Sequence, residues 1–160
     1  MQRIRTALAA AGILALTAGA ASAAEFTHIV LEKDIAAPAE AVWKKVGDFC
    51  ALRDWLKVSC KILSGDGGIG TVRSVRDTVT EVMVGKTALS YTYSFVDGKD
   101  MYHGTIEIVP RGANASKAIY TLFWDQEPLK TPEAKAQSRE GRAKRFGEAL
   151  DNIKAMGEAK

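Results

Sequence analysis

"SGDGGIGTVRSV", residues Ser64 to Val75, places Gly65, Gly67 and Gly70 in the spacing G-x-G-x-x-G. Dinucleotide-binding turns share that spacing. In them a strand enters the glycines and a helix leaves, so that the helix N-terminus faces a pyrophosphate. Here the glycines are left by "TVRSVRD" (Thr71–Asp77), in which valines alternate with polar residues. A period of two with β-branched residues is a strand, not a helix. The acidic residue that a parallel unit would carry about twenty positions on is also missing. Context therefore rejects the nucleotide reading, and the glycines read as a tight turn between two strands.

Downstream the alternation continues. "TVTEVMV" (Thr78–Val84) runs to a turn at Gly85, and "TALSYTYSFV" (Thr87–Val96) sets Leu89, Tyr91, Tyr93 and Phe95 on one face against Ser90, Thr92 and Ser94 on the other. "DGKD" is a turn, "MYHGTIEIV" a strand that stops at Pro110, "RGANAS" a turn, and "KAIYTLFWDQ" (Lys117–Gln126) the last strand. Loops this short join antiparallel neighbours. Upstream, "VSCKIL" is a strand and "FTHIVLEKDI" (Phe26–Ile35) the first one. Between them, "AAPAEAVWKKVGDF" starts a helix at Pro38 with Val42, Val46 and Phe49 along one face, and "CALRDWL" allows one more turn. From Thr131 the chain becomes a long helix: a threonine cap, Pro132 at the first position, then the apolar stripe Phe146, Leu150, Ile153 and Met156. Its first half is basic, with Lys135, Arg139, Arg142, Lys144 and Arg145, and Gly141 and Gly147 interrupt it. Those glycines fit either an ordinary solvated helix or a close approach to a sheet or ligand. The fold class is α+β: a curved seven-stranded antiparallel sheet wrapped around a long C-terminal helix, with two short helices after the first strand. Such layers enclose a cavity.

The first 23 residues read as a leader. Arg3 and Arg5 precede the apolar run "ALAAAGILALTAGA", which ends in the small-x-small site "ASA" at Ala21–Ala23. The expectation is a cleaved signal peptide (1–23) and a single exported domain (24–160) in a bacterial periplasm, with no stable membrane anchor. Without the leader, twenty bases face nineteen acids, so net charge makes no case for nucleic acid. Cys50 and Cys60 are the two cysteines of the chain. An even count in an exported protein suggests a disulfide, with free thiols or a metal site as alternatives. Only His28 and His103 are available as histidine ligands, and no metal-ligand spacing, nucleophile elbow or paired-carboxylate motif is present. No metal or other cofactor is expected.

"IAAPAEAVWKKVGDFCALRDWL", "GIGTVRSV", "VTEVMVGKTALSYTYSF", "YHGTIEIVP" and "YTLFWDQ" together resemble the START-like (SRPBCC) superfamily with its Bet v 1-like helix-grip fold. The branch they resemble is the bacterial polyketide cyclase/dehydrase and lipid-transport family. The recurring elements are Ala37–Pro38 with Val42–Trp43, Asp48–Phe49 with Trp55, Gly70–Thr71 with Arg73, Glu81 and Tyr91. The resemblance implies a cavity between the terminal helix and the concave sheet. It also turns Gly65, Gly67, Gly68 and Gly70 into a gate at the mouth of that cavity.

Candidate cavity residues are then Trp55, Arg73, Glu81, Leu89, Tyr91, Tyr93, Phe95, His103, Phe123, Phe146 and Leu150. The tyrosines and Phe95 suit either a cavity wall or plain core. Phe123 and Trp124 point to opposite faces, so only one can look inward. Arg73 and Arg76 lie on opposite faces, and one of them either enters the cavity to pair with Glu81 or a ligand carboxylate, or forms a surface ion pair. His103 as a general base would need an orienting partner and a substrate in reach. The function expected is binding or shuttling of a hydrophobic small molecule (lipid, quinone, sterol-like or aromatic) by a monomer or weak dimer. The alternatives are an accessory protein docking through the basic helix on a periplasmic redox enzyme of the methanol-oxidation type, and a cyclase or hydrolase.

Overall fold

A computed structural model describes residues 25–98 and 100–159. The expected leader lies outside the described residues. The elements are β1 (Phe26–Ile35), α1 (Ala39–Val46), the single turn α2 (Leu52–Trp55), β2 (Cys60–Ser64), β3 (Val72–Val75), β4 (Val79–Lys86), β5 (Ser90–Phe95), β6 (His103–Pro110), β7 (Ser116–Asp125) and α3 (Pro132–Glu158). Strands β2 to β7 form an antiparallel meander, and β1 returns to pair with β7, giving the order β1-β7-β6-β5-β4-β3-β2. This is the helix-grip fold, with α3 lying across the concave face. Register shifts between Ile62 and Ser64 and between Met83 and Gly85 bend the strands, as bulges do.

Period-two alternation sorts the two faces. Arg73 and Val75 of β3, Glu81 and Met83 of β4, Tyr91 and Tyr93 of β5, Ile106 and Ile108 of β6, and Ala118, Tyr120, Leu122 and Trp124 of β7 are buried inward. The convex face is polar where the central strands meet: Thr92 lies opposite Thr105 with hydroxyls 2.8 Å apart, and Thr121 is next in register. A slip of one residue would exchange these sets, so burial itself fixes the register. Gly104 permits one close approach. A Cβ there would stand 2.5 Å from the Tyr93 ring, which instead crosses β6 to bring its hydroxyl 2.9 Å from that of Tyr120.

Helix α3 is anchored at both ends. Thr131 Oγ1 accepts from the Ala134 amide at 3.1 Å, and Pro132 opens the helix. At the far end Lys45 Nζ donates to the carbonyls of Met156 (3.0 Å) and Ala159 (2.7 Å), placing a cation on the negative end of the helix dipole. A disulfide joins Cys50, between α1 and α2, to Cys60 at the start of β2. Among the described residues no helix is long and apolar enough to cross a membrane.

Candidate functional site

The second half of α3 seals against the fold through Ala149, Leu150 and Ile153. The first half does not. The positions facing the sheet are Gln137, Ser138, Gly141, Arg142 and Arg145, and a Cβ added to Gly141 would meet nothing within 4 Å. A cavity of about 410 Å³ remains, in the size range of small-molecule sites. The sheet contributes Arg73, Val75, Glu81, Tyr93 and Phe95 to it, the α2 region Leu52, Trp55 and Leu56, and the β3–β4 turn Arg76 and Thr78. Tyr102, Tyr120 and Phe146 complete the wall.

Aromatic rings give the wall its character. Phe95 stacks on Tyr102 with centroids 4.3 Å apart, Tyr120 meets Phe146 at 4.6 Å, and Trp55 meets Tyr120 at 6.0 Å. The Trp55 indole donates to the Val46 carbonyl at 3.3 Å, which fixes the ring. Burial is the largest influence on the phenols of Tyr93, Tyr102 and Tyr120 and pushes all three above the ordinary tyrosine range. They stay neutral at physiological pH and remain able to donate a hydrogen bond.

Deeper in, Arg73 and Glu81 form a buried ion pair. Arg73 is 1% exposed, and its Nε and Nη2 both lie 2.6 Å from Glu81 Oε2. Its Nη1 donates to the Phe49 carbonyl. The guanidinium sits 3.9 Å from the Phe49 ring centroid and 4.9 Å from that of Tyr93. Cross-strand register places Arg73 directly opposite Glu81. Burial opposes the charge on Arg73, but Tyr91, Glu81 and Tyr93 more than offset it and the guanidinium holds its proton more tightly than usual. Burial raises the Glu81 carboxyl, with Arg73 pulling it back. Of the two readings for the alternating arginines, the buried pair is the one that holds.

At the mouth three more arginines gather. Arg142 is paired with Asp100 at 3.0 Å and lies 4.4 Å from the Trp124 ring centroid. Arg145 is half-buried, and burial followed by the nearby Arg76 lowers its pKa. Strict alternation would carry Arg76 to the opposite face from Arg73. It borders the cavity instead, because Arg76 and Asp77 both adopt left-handed backbone (φ 57° and 58°) in the three-residue turn Arg76–Thr78.

Of the expected cavity residues, the fold gathers Trp55, Arg73, Glu81, Tyr93, Phe95 and Phe146 around this space. Leu89, Tyr91 and Leu150 belong to the packed interior instead. Tyr91 is wedged between Trp43 and Phe49, with centroids at 5.9 and 5.4 Å. His103 and Phe123 lie on the convex face, because the inward positions of β6 and β7 are the even-numbered ones. Phe123 stacks on Phe26 at 4.8 Å, and His103 Nδ1 is 2.7 Å from the Met101 carbonyl, out of reach of anything in the cavity. Trp124 takes the inward place on β7.

The glycine hairpin does not border this cavity. Gly65, Gly67, Gly68 and Gly70 form the β2–β3 turn, with Gly65, Gly67 and Gly70 at φ near +90°. Lys86 Nζ on the Gly67 carbonyl and the Gly70 amide on the Met83 carbonyl tie the turn to β4. The mouth lies at the other end of β3, beside Arg76. Reading the sequence alone leaves out Arg76, Tyr102, Tyr120, Arg142 and Arg145 as cavity residues. One signal was available: Leu150, Phe146, Arg142 and Ser138 recur every four residues, so the apolar stripe of α3 continues as a polar one on the same face.

Residues 27–158 match the family described as polyketide cyclase / dehydrase and lipid transport. The chain belongs to that family. No curated protein matches it. Among solved structures, the Zhui aromatase/cyclase from Streptomyces sp. R1128 superposes with a TM-score of 0.69 at 16% identity, over 82% of this chain and 93% of that one. Protein XoxI from Bacillus cereus gives 0.64 at 21% identity, over 81% and 94%. Norcoclaurine synthase from Thalictrum flavum, in complex with dopamine and hydroxybenzaldehyde, gives 0.61 at 18% identity, over 94% and 100%. At such identities the likeness is one of fold. Membership of the polyketide cyclase/dehydrase and lipid-transport family is consistent with binding of hydrophobic small molecules.

Proposed function

We propose that this protein binds and carries a hydrophobic small molecule, aromatic or lipid-like, in the cavity beneath the first half of α3, and that it does so after export to an oxidising compartment. The observation that carries the reading is the cavity itself. It opens to solvent at one end and is walled by rings whose polar tips remain neutral, so an apolar body entering it exchanges water for aromatic contact. The Cys50–Cys60 disulfide supports the compartment, since such bonds persist where thiols are not kept reduced. The bound aromatic molecules in norcoclaurine synthase support the ligand class. The basic half of α3, on which docking to a redox enzyme would rest, is largely engaged within the chain. Lys135 pairs with Glu25, Arg139 bonds Thr27 and the His28 carbonyl, and Arg142 pairs with Asp100.

Native mass spectrometry of protein purified from the periplasm of an expressing bacterium, followed by solvent extraction, tests the proposal. A discrete small-molecule adduct is the expected result. A clean apo mass that persists after incubation with a periplasmic lipid extract would overturn it.

A further inference from the structure

Four arginines and one glutamate line the cavity. Arg73 and Glu81 cancel one another at 2.6 Å, and Arg142 is matched by Asp100. Arg76 and Arg145 remain. Among the described residues neither forms an ion pair, and burial followed by the neighbouring Arg76 disfavours the charge on Arg145. Glu81 is the one carboxylate in the cavity wall, and Arg73 takes both its bonds on Oε2. Two arginines thus border one aromatic pocket without an ion-pair partner at contact distance, Glu81 being held by Arg73.

The arrangement is built by the backbone. Arg76 reaches the rim only because the β3–β4 turn is left-handed at two non-glycine residues, a conformation that side chains seldom adopt. Gly141, one turn before Arg145, lines the same cavity, and a Cβ added to it would meet nothing within 4 Å. An apolar body placed against Trp55, Phe95, Tyr120 and Phe146 would present its outer end to Arg76 and Arg145.

Resting on the carrier reading above, we infer that the ligand is an amphiphile with an anionic oxygen group at one end, and that Arg76 and Arg145 clamp that group at the mouth. Guanidinium forks suit carboxylate, sulfonate or phosphate oxygens. An anion there would also supply the counter-charge that Arg145, disfavoured by burial and by Arg76, lacks at contact distance.

The test uses two dyes that share one ring system. 1-Anilinonaphthalene-8-sulfonate carries a sulfonate; N-phenyl-1-naphthylamine is the same body without it. Fluorescence titration gives both affinities. The sulfonate is expected to bind more tightly, with a preference that falls as salt rises. Arg145→Met and Arg76→Met should each lower the ratio of the two affinities about tenfold, the effect of losing one charge-assisted contact. Arg145→Lys should restore part of the ratio, and Lys144→Met, which removes the same charge from an exposed position outside the cavity, should leave it unchanged. Thermal melting shows that each variant is folded. If the neutral dye binds and the ratio is the same in wild type and both methionine variants, the anion clamp is wrong while the carrier reading stands. If neither dye binds the folded wild type, both fall.

Discussion

Helix α3 turns one side to the sheet along its whole length, but that side is written in two alphabets. From Phe146 onward it carries Phe146, Ala149, Leu150 and Ile153, and the helix closes on β1 and α1 until Gly157 meets Val42 and Ile35. From Gln137 to Arg145 it carries amide, hydroxyl, glycine and arginine, and the same helix stands over a space of about 410 Å³. A helix held at one end by apolar packing and at the other by Thr131, Gln126 and ion pairs need not collapse onto the sheet between. The cavity is what remains when side-chain volume is withheld from half of an otherwise ordinary interface.

The largest expected effect sets the two halves against each other through pH. All four tyrosines of the chain are buried: Tyr93, Tyr102 and Tyr120 at the cavity, and Tyr91 in the packed interior behind it. Burial raises every one of their pKa values. Above pH 10 the unfolded chain loses phenolic protons that the native state keeps. Stability is therefore fully present below that pH and falls as pH rises beyond it, with a slope of about 1.4 kcal/mol per pH unit for each tyrosine that ionises only on unfolding. Absorbance at 295 nm should show no phenolate at pH 10 in the folded protein, then a cooperative rise as it unfolds. If three tyrosines ionise ahead of the fourth in a folded chain, the cavity is wet rather than an extension of the core.

Next comes the ion pair. Arg73→Met leaves Glu81 buried without its partner, and chemical denaturation should show a loss of about 3–5 kcal/mol near neutral pH. Adding Glu81→Met should recover much of it. A nearly neutral single variant would mean that cavity water solvates the carboxylate, which again breaks the distinction between the halves. Leu150→Ala, in the closed half, should cost about 2–5 kcal/mol.

Legibility in the sequence followed the same division. The succession of strands along the chain, the three helices and the cap at Thr131 could be read because period, turn chemistry and capping are local, whereas the return of β1 to pair with β7 could not. The Arg73–Glu81 partnership needed register, which depends on which face is inward. The same ambiguity sent His103 and Phe123 to the wrong side of the sheet and hid Tyr102 and Tyr120. Arg76 defied alternation because two left-handed residues in a turn carry no glycine to announce them. The glycines that did announce themselves bend a hairpin at the end of β3 away from the mouth, so a conspicuous motif marked a turn, and the cavity was marked by the inconspicuous polar half of α3.

The smallest effect sharpens the comparison most directly, since it makes one substitution in each half of one helix. Gly141→Ala adds a methyl where nothing lies within 4 Å and removes a helix-interior glycine, so it should stabilise by roughly 1 kcal/mol. Gly157→Ala adds the same methyl 3.0 Å from Val42 Cγ2 and 3.1 Å from Ile35 Cγ2. Both neighbours are β-branched, buried and slow to yield, so overpacking should exceed the gain in propensity and lower stability by up to ~2 kcal/mol. Opposite signs in paired melting curves would establish that the helix is lifted at one end and seated at the other. Equal gains would mean that the far end has slack to give, and that the cavity owes its existence to something other than the choice of side chains along α3.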